Sequence, residues 1–311
     1  MPEIVISEFI DQAAVDRLSA EFETVYDPAF VDQPDTLASH LAETRALIVR
    51  NRTQVRGALL EAGAKLECVG RLGVGLDNID VAACKARNID VFPATGANDL
   101  AVAEYVINTA MSLLRGAYQA VDAMVAGEWP RQQLMGRELA GKTMGLVGYG
   151  AIARQVAARA LGLGMDVVAY DPHLPGDDPA WGYARNVSLQ GVADLADVVS
   201  LHVPLTEATR HLVDVAFLKS MKDDAILINA ARGGVVDDAG VAYALSEGMI
   251  GGAALDVFET EPLTAEAGAK FVGLKNLILT PHIAGVTVES NTRVSHLIAD
   301  LVSARLKKAE S

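Results

Sequence analysis

Over the first ninety or so positions, short apolar runs alternate with stretches of helical spacing. The runs are "EIVIS" at 3–7, "TVYD" at 24–27, "ALIVR" at 46–50, "LECVG" at 66–70 and "IDVFP" at 89–93. Helical segments fall between them, from about Gln12, near Leu37, from Val55 and near Asn78. Unbroken apolar runs bounded by turn residues predict strands buried on both faces, and strand–helix alternation predicts a parallel sheet wound with helices. Residues 1–97 are therefore predicted to form one doubly wound α/β domain.

A long helical pattern follows from about Asp99 to Ala126, free of internal proline and interrupted only at Gly116, and is predicted to link two domains. The next stretch, "GEWPRQQLMGRELAGK" at 127–142, is rich in turn residues and large side chains. Exposed Trp129 and Leu134 would be costly on a monomer, so this segment is expected to be the arm of a homodimer.

Residues 143–173, "TMGLVGYGAIARQVAARALGLGMDVVAYDPH", read as strand, glycine turn, helix and second strand. Gly148, Gly150 and Ala153 fall on the G-x-G-x-x-G/A spacing. Gly148 permits the tight turn, Gly150 lets a pyrophosphate approach the backbone, and Ala153 lets the helix from Ile152 to Leu161 pack closely. The helix start supplies unpaired N–H groups and a positive dipole end, which suit an anion. Asp171 stands 21 residues beyond Gly150, at the end of the second strand. A carboxylate there accepts from a ribose 2′-hydroxyl and repels a 2′-phosphate, so a Rossmann dinucleotide-binding domain that prefers NAD to NADP is predicted.

Four more apolar strands are predicted in "DVVSLHVP", "AILINAARGG", "GGAALDVF" and "NLILTPH", each ending in polar or turn residues. The last helix, from about Val288 to Leu306, carries Val294, Leu297, Ile298, Leu301 and Val302 at helical period and is expected to return to the first domain. The dinucleotide domain is thus placed at 98–286, with 287–311 completing the first.

Composition narrows the classes. The chain has 311 residues, 51% of them hydrophobic, ample for two cores. A formal charge of −14 argues against nucleic-acid and anionic-membrane partners, so an anionic substrate needs a local cationic pocket. Cys68 and Cys84 lack metal-ligand spacing and read as core residues of a reduced, cytoplasmic protein that holds no metal. Neither a signal peptide nor an apolar span of membrane length is visible.

Three stretches place a polar residue just beyond a strand: Arg232 in "NAARGGVVD", Glu261 in "LDVFETEP" and His282 in "TPHIAG". Ends of neighbouring parallel strands converge on one crevice, so these three are expected to meet beside a nicotinamide ring. Glu259 competes with Glu261 for its place. His40 and His296 lie on helix patterns, and His173 and His211 lie in loops.

Together with the fingerprint unit and "RLGVGLDNID" at 71–80, these stretches resemble the D-isomer-specific 2-hydroxyacid dehydrogenase family, particularly its phosphoglycerate-dehydrogenase-like branch, over nearly the whole chain. The resemblance implies that Arg232 binds the substrate carboxylate, His282 is the acid/base and Glu261 orients it. Chemistry agrees: reducing a 2-oxo acid needs a hydride on carbon and a proton on oxygen, and a histidine donates that proton near neutrality. A carboxylate on its far nitrogen fixes the tautomer and favours the imidazolium, while arginine holds a carboxylate with a planar fork. The expected cofactor contacts are Gly148, Gly150, Ala151, Ile152 and Asp171, then His202, Pro204 and Thr206 after the next strand, and Ala230, Arg232 and Asp256 beyond the two that follow.

On the substrate side, the N–H groups of the Gly73, Val74 and Gly75 loop are implied to receive a carboxylate. Arg50 and Arg52, if their segment stays extended, point the same way and offer a pocket for a second anionic group. With the short length, which leaves no room for a regulatory domain, that pair resembles the sulfolactate dehydrogenases of the family. Sulfolactate, phosphoglycerate or a similar small dianionic acid is the expected substrate. The alternative is an NAD-sensing corepressor with little turnover. A formate-type enzyme is disfavoured, because that branch typically has glutamine where this chain has Glu261.

Overall fold

The computed structural model describes residues 2–116, 118 and 120–308; positions 117 and 119 of the expected linking helix, and 309–311 of the expected C-terminal segment, lie outside the described residues. Two compact units are present, Met1–Asn98 with Val286–Ser311, and Asp99–Gly285.

The first unit runs β1 (Ile4–Ile6), α1 (Gln12–Ser19), β2 (Thr24–Tyr26), α2 (Pro34–His40), β3 (Ala46–Val49), α3 (Gly57–Ala62), β4 (Cys68–Arg71), α4 (Val81–Ala86) and β5 (Asp90–Pro93). Its sheet has the order β2-β1-β3-β4-β5 with every pair parallel. Alternation along the strands feeds two layers. Ile4, Ile6, Ala46, Ile48 and Cys68 pack with Ala14 and Leu18 of α1 and with Val294, Ile298 and Val302 of the C-terminal helix. Val5, Leu47, Val49 and Val69 pack with Leu37, Leu60 and Cys84 of α2 to α4. Both cysteines are buried and free, and burial pushes the Cys68 thiol up to about 12.

The second unit begins with α5 (Asp99–Arg115) and α6 (Val121–Val125). The single helix expected to Ala126 is therefore two, because Gly116 takes a left-handed φ of 59° and ends α5 as helix-terminal glycines do. Next come β6 (Thr143–Val147), α7 (Ala151–Gly162), β7 (Asp166–Tyr170), β8 (Arg185–Asn186), α8 (Leu189–Leu195), β9 (Val198–Leu201), α9 (Val215–Ser220), β10 (Ile226–Asn229), α10 (Asp238–Ser246), β11 (Gly252–Leu255), α11 (Ala265–Gly268) and β12 (Leu277–Leu279). The sheet order β12-β11-β10-β9-β6-β7-β8 reverses direction between β6 and β9. Both sheets are doubly wound and parallel, as the apolar runs predict. Two-residue β8 carried no signal, since Arg185 and Asn186 are polar and exposed. The C-terminal helix α12 (Val288–Lys308) belongs to the first unit.

Tyr118, Val121, Val125, Trp129 and Met135 are exposed. Leu134, expected to be exposed with Trp129, is half-buried instead. Among the described residues no helix is long and apolar enough to cross a membrane.

Candidate active site

In parallel sheets, ligands bind beyond the carboxyl ends of the strands where the winding reverses. In the second unit that point lies between the ends of β6 and β9. Gly148 follows β6 at φ 86°, and a side chain there would collide with the backbone of His202 at the end of β9. Gly150 caps α7 with no side-chain hydrogen bond, and nothing stands within 4 Å of where its Cβ would project. The first N–H groups of α7, those of Ala151 and Ile152 included, have no intrahelical partners, and the space beside Gly150 is open, an arrangement that fits a dinucleotide pyrophosphate.

Asp171 is held by two backbone donors, the Tyr149 N–H on Oδ2 and the His173 N–H on Oδ1, each at 2.9 Å. Tyr149 is itself anchored, its ring stacked on Trp181 and its hydroxyl donating to the Trp181 carbonyl. Beyond β9, Pro204 and Thr206 lie in a turn tied by Thr209, whose Oγ1 accepts from the Thr206 N–H and donates to the Pro204 carbonyl. His202 Nε2 lies 3.0 Å from Ser200 Oγ. Part of its surface meets solvent, yet the ring is deep enough that burial depresses its pKa to about 4. A ring neutral at physiological pH can line a cofactor site but is a poor proton donor.

Ala230 and Arg232 follow β10, on a loop gripped by Asn229. This buried side chain donates to the Arg232 carbonyl at 3.0 Å and accepts from the Ala231 N–H at 3.1 Å. Gly233 presses this loop against the next one, since any side chain there would overlap the Phe258 backbone. That next loop, after β11, carries Glu261. Its Oε1 accepts from the Phe258 N–H at 3.0 Å and its Oε2 meets His282 Nδ1 at 2.7 Å. Burial raises the Glu261 carboxyl, but the His282 and Phe258 bonds and the Arg232 charge outweigh it, so it lies below the usual carboxylate value. The competing Glu259 is occupied elsewhere, 2.6 Å from His211 Nε2. With Glu261 on Nδ1, Nε2 of His282 is the nitrogen left to exchange a proton.

Asp256, expected among the cofactor contacts, is 1% exposed. It accepts from Thr280 Oγ1 at 2.7 Å and from the Ile283 and Ala284 N–H groups at 2.8 Å, so it also secures the His282 loop.

In the first unit the winding reverses between β1 and β3, and Arg50 and Arg52 follow β3. The premise that this segment stays extended is corrected. It bends, because buried Glu8 beyond β1 gathers the N–H groups of Arg50, Arg52 and Thr53 onto one carboxylate. The two arginines consequently have different partners. Half-buried Arg50 donates to Asn291 Oδ1 and lies over the Phe9 ring, whereas exposed Arg52 is paired with Asp32. After β4, the Gly73 N–H turns back to the Arg71 carbonyl, while the N–H groups of Val74 and Gly75 make no hydrogen bond among the described residues.

Sequence reasoning missed Glu8, Asn229, Tyr149 and Thr280, whose hydrogen bonds hold the loops. Asn229 alone left a signal, as a polar residue closing an apolar strand.

A sequence profile for the NAD binding domain of the D-isomer specific 2-hydroxyacid dehydrogenases matches residues 107–284. The chain is 52% identical over 303 residues to an (S)-sulfolactate dehydrogenase of Chromohalobacter salexigens, covering 97% of each. It is 38% identical over 307 residues to a chloroplastic D-3-phosphoglycerate dehydrogenase of Arabidopsis thaliana, covering 98% of this chain and 49% of that longer one. It superposes with a TM-score of 0.84 and 26% identity on a D-lactate dehydrogenase of Aquifex aeolicus solved with NAD and lactic acid, covering 98% and 95% of the two chains. A profile match over more than half of the chain and a relative 52% identical over 97% of both chains agree, and the chain belongs to the D-isomer-specific 2-hydroxyacid dehydrogenase family as an NAD-dependent oxidoreductase.

Proposed function

We propose that the protein interconverts a D-2-hydroxy acid and its 2-oxo acid, and that the substrate is a small dianion of the sulfolactate type. The observation that carries the reaction is the His282–Glu261 bond at 2.7 Å, made through Nδ1 and with the charge of Arg232 close enough to act on Glu261. Bound NAD supplies the acceptor for the hydride that leaves C2. Arg232 holds the C1 carboxylate with its planar fork, fixing which face of C2 is presented. Nε2 of neutral His282 takes the hydroxyl proton as the carbonyl forms, and Glu261, ionised, stabilises the resulting imidazolium. In the reverse direction the same Nε2 returns the proton to the carbonyl oxygen.

The relative with sulfolactate in its name supports the substrate class. Its S descriptor agrees with D specificity, because sulfur outranks oxygen when substituents are ordered. The sulfonate arm takes precedence over the carboxylate, so (S)-sulfolactate has the spatial arrangement of D-lactate. Arg52 is assigned to the distal anion. Its pairing with Asp32 is an exposed one, of a kind worth about 0–1 kcal/mol, and is readily exchanged for a substrate sulfonate. Arg52→Ala is expected to raise KM for sulfolactate roughly 10- to 100-fold while barely altering lactate. Equal effects on the two acids would remove Arg52 from the distal site and the dianion with it.

The exposed apolar residues from Tyr118 to Met135 support a homodimer formed through this segment. The mass in solution should be twice that of the chain, and Trp129→Glu should shift it toward the monomer. A wild-type protein that sediments as a monomer at micromolar concentration would refute the assignment.

A further inference from the structure

His282 keeps a left-handed backbone, φ 58°, which residues with side chains seldom adopt, and the surrounding bonds must hold it there. Its own N–H donates to the Asp256 carbonyl at 2.8 Å. The next two N–H groups, of Ile283 and Ala284, donate to Oδ1 and Oδ2 of the same residue. Asp256 is therefore the clamp on this loop, and it is buried.

A chain of hydroxyls leads away from that clamp. Thr280, two residues before His282, has Oγ1 at 2.7 Å from Asp256 Oδ1, and the same Oγ1 lies 2.6 Å from the hydroxyl of Tyr105 on α5. The direction of each bond follows from which group has a proton to give. A carboxylate has none, so Thr280 donates to Asp256. The single hydrogen of Thr280 is then committed, so between the two hydroxyls Tyr105 is the donor. Burial pushes the Tyr105 phenol up to about 12, which keeps that hydrogen in place across any working pH. Tyr105 is fixed by its element, since α5 buries Val102, Val106, Thr109 and Ala110 around it.

We propose that Tyr105 is a positioning residue for His282. Its hydroxyl orients the Thr280 hydroxyl onto Asp256, and Asp256 in turn fixes the backbone that aims the imidazole. The proposal rests on the reading of His282 as the acid/base. A chain of this kind costs nothing to reorganise during reaction, because its donors are already aligned before substrate arrives.

The test is steady-state and binding kinetics on the purified full chain carrying Tyr105→Phe, which keeps the ring and removes the hydroxyl. The kcat is expected to fall by about 10-fold, the worth of roughly one buried hydrogen bond, with KM and the NADH Kd unchanged within about twofold. The deuterium effect on kcat with 2-deuterated substrate should rise, since the step His282 serves becomes slower. Thr280→Ser, which keeps the hydroxyl, should retain activity. Thr280→Val should lose it, and adding Tyr105→Phe to Thr280→Val should cost nothing more. A Tyr105→Phe enzyme with wild-type kcat overturns the proposal. So does a loss that appears equally in the NADH Kd, or two substitutions whose effects multiply. His282→Ala, measured alongside, separates the two levels: if it keeps its turnover the acid/base reading itself fails, and if it alone loses turnover only the Tyr105 role fails.

Discussion

His282→Ala is expected to lower turnover in both directions by about 10²- to 10⁴-fold, the usual worth of a positioned acid/base, while leaving NADH affinity nearly unchanged. The size follows from what the substitution removes. Hydride leaves C2 only as the hydroxyl proton leaves oxygen, and the histidine whose far nitrogen is fixed by Glu261 at 2.7 Å is the group assigned to take it. Without it, water must serve as the base at a site built for an imidazole. His202 cannot substitute, since burial has brought its pKa down to about 4. The variant should fold normally, because the His282 side chain is 40% exposed and the Asp256 clamp acts on the backbone. Near-normal turnover by a folded His282→Ala enzyme would remove this residue from the mechanism.

Arg232→Ala is expected to lower kcat/KM by about 10²- to 10⁴-fold, because two charge-assisted bonds to a carboxylate are each worth on the order of 1.5–3 kcal/mol. Arg232→Lys restores the charge but not the fork, and should recover only a small part of the loss. The loop itself should survive both changes, since Asn229 holds it through the Arg232 carbonyl and the Ala231 N–H. A second consequence is electrostatic. The Arg232 charge helps keep the Glu261 carboxyl low, so the alanine variant weakens the partner of His282 as well as the substrate site. Thermal denaturation and kinetics read together decide the matter. An Arg232→Ala enzyme of unchanged stability that keeps more than about a tenth of kcat/KM would take this residue out of carboxylate binding.

The sheets were legible in the sequence because strands β3, β6, β9, β10 and β11 are buried on both faces and read as continuous apolar runs. Arg232, Glu261 and His282 stood out for the complementary reason, as polar residues just past such runs. The supports beneath them did not stand out. Tyr105 lies inside an apolar helical pattern, and its partner Thr280 is 175 positions away, so no local spacing connects them. Glu8 reads as an ordinary acid after a strand, yet it bends the segment 42 to 45 positions later and separates Arg50 from Arg52. Local pattern therefore locates the strand ends, whereas the geometry of the loops depends on polar contacts between distant segments.

The most direct measurement is a stereochemical one: initial rates of NAD reduction with both enantiomers of sulfolactate, lactate and 3-phosphoglycerate, on the purified chain. Fast oxidation of (S)-sulfolactate, slower oxidation of D-lactate and inertness toward the opposite enantiomers are expected from a site that holds the carboxylate at Arg232 and the proton at His282. Protein that binds NADH yet oxidises none of these acids, or that prefers the L-configured ones, would contradict it.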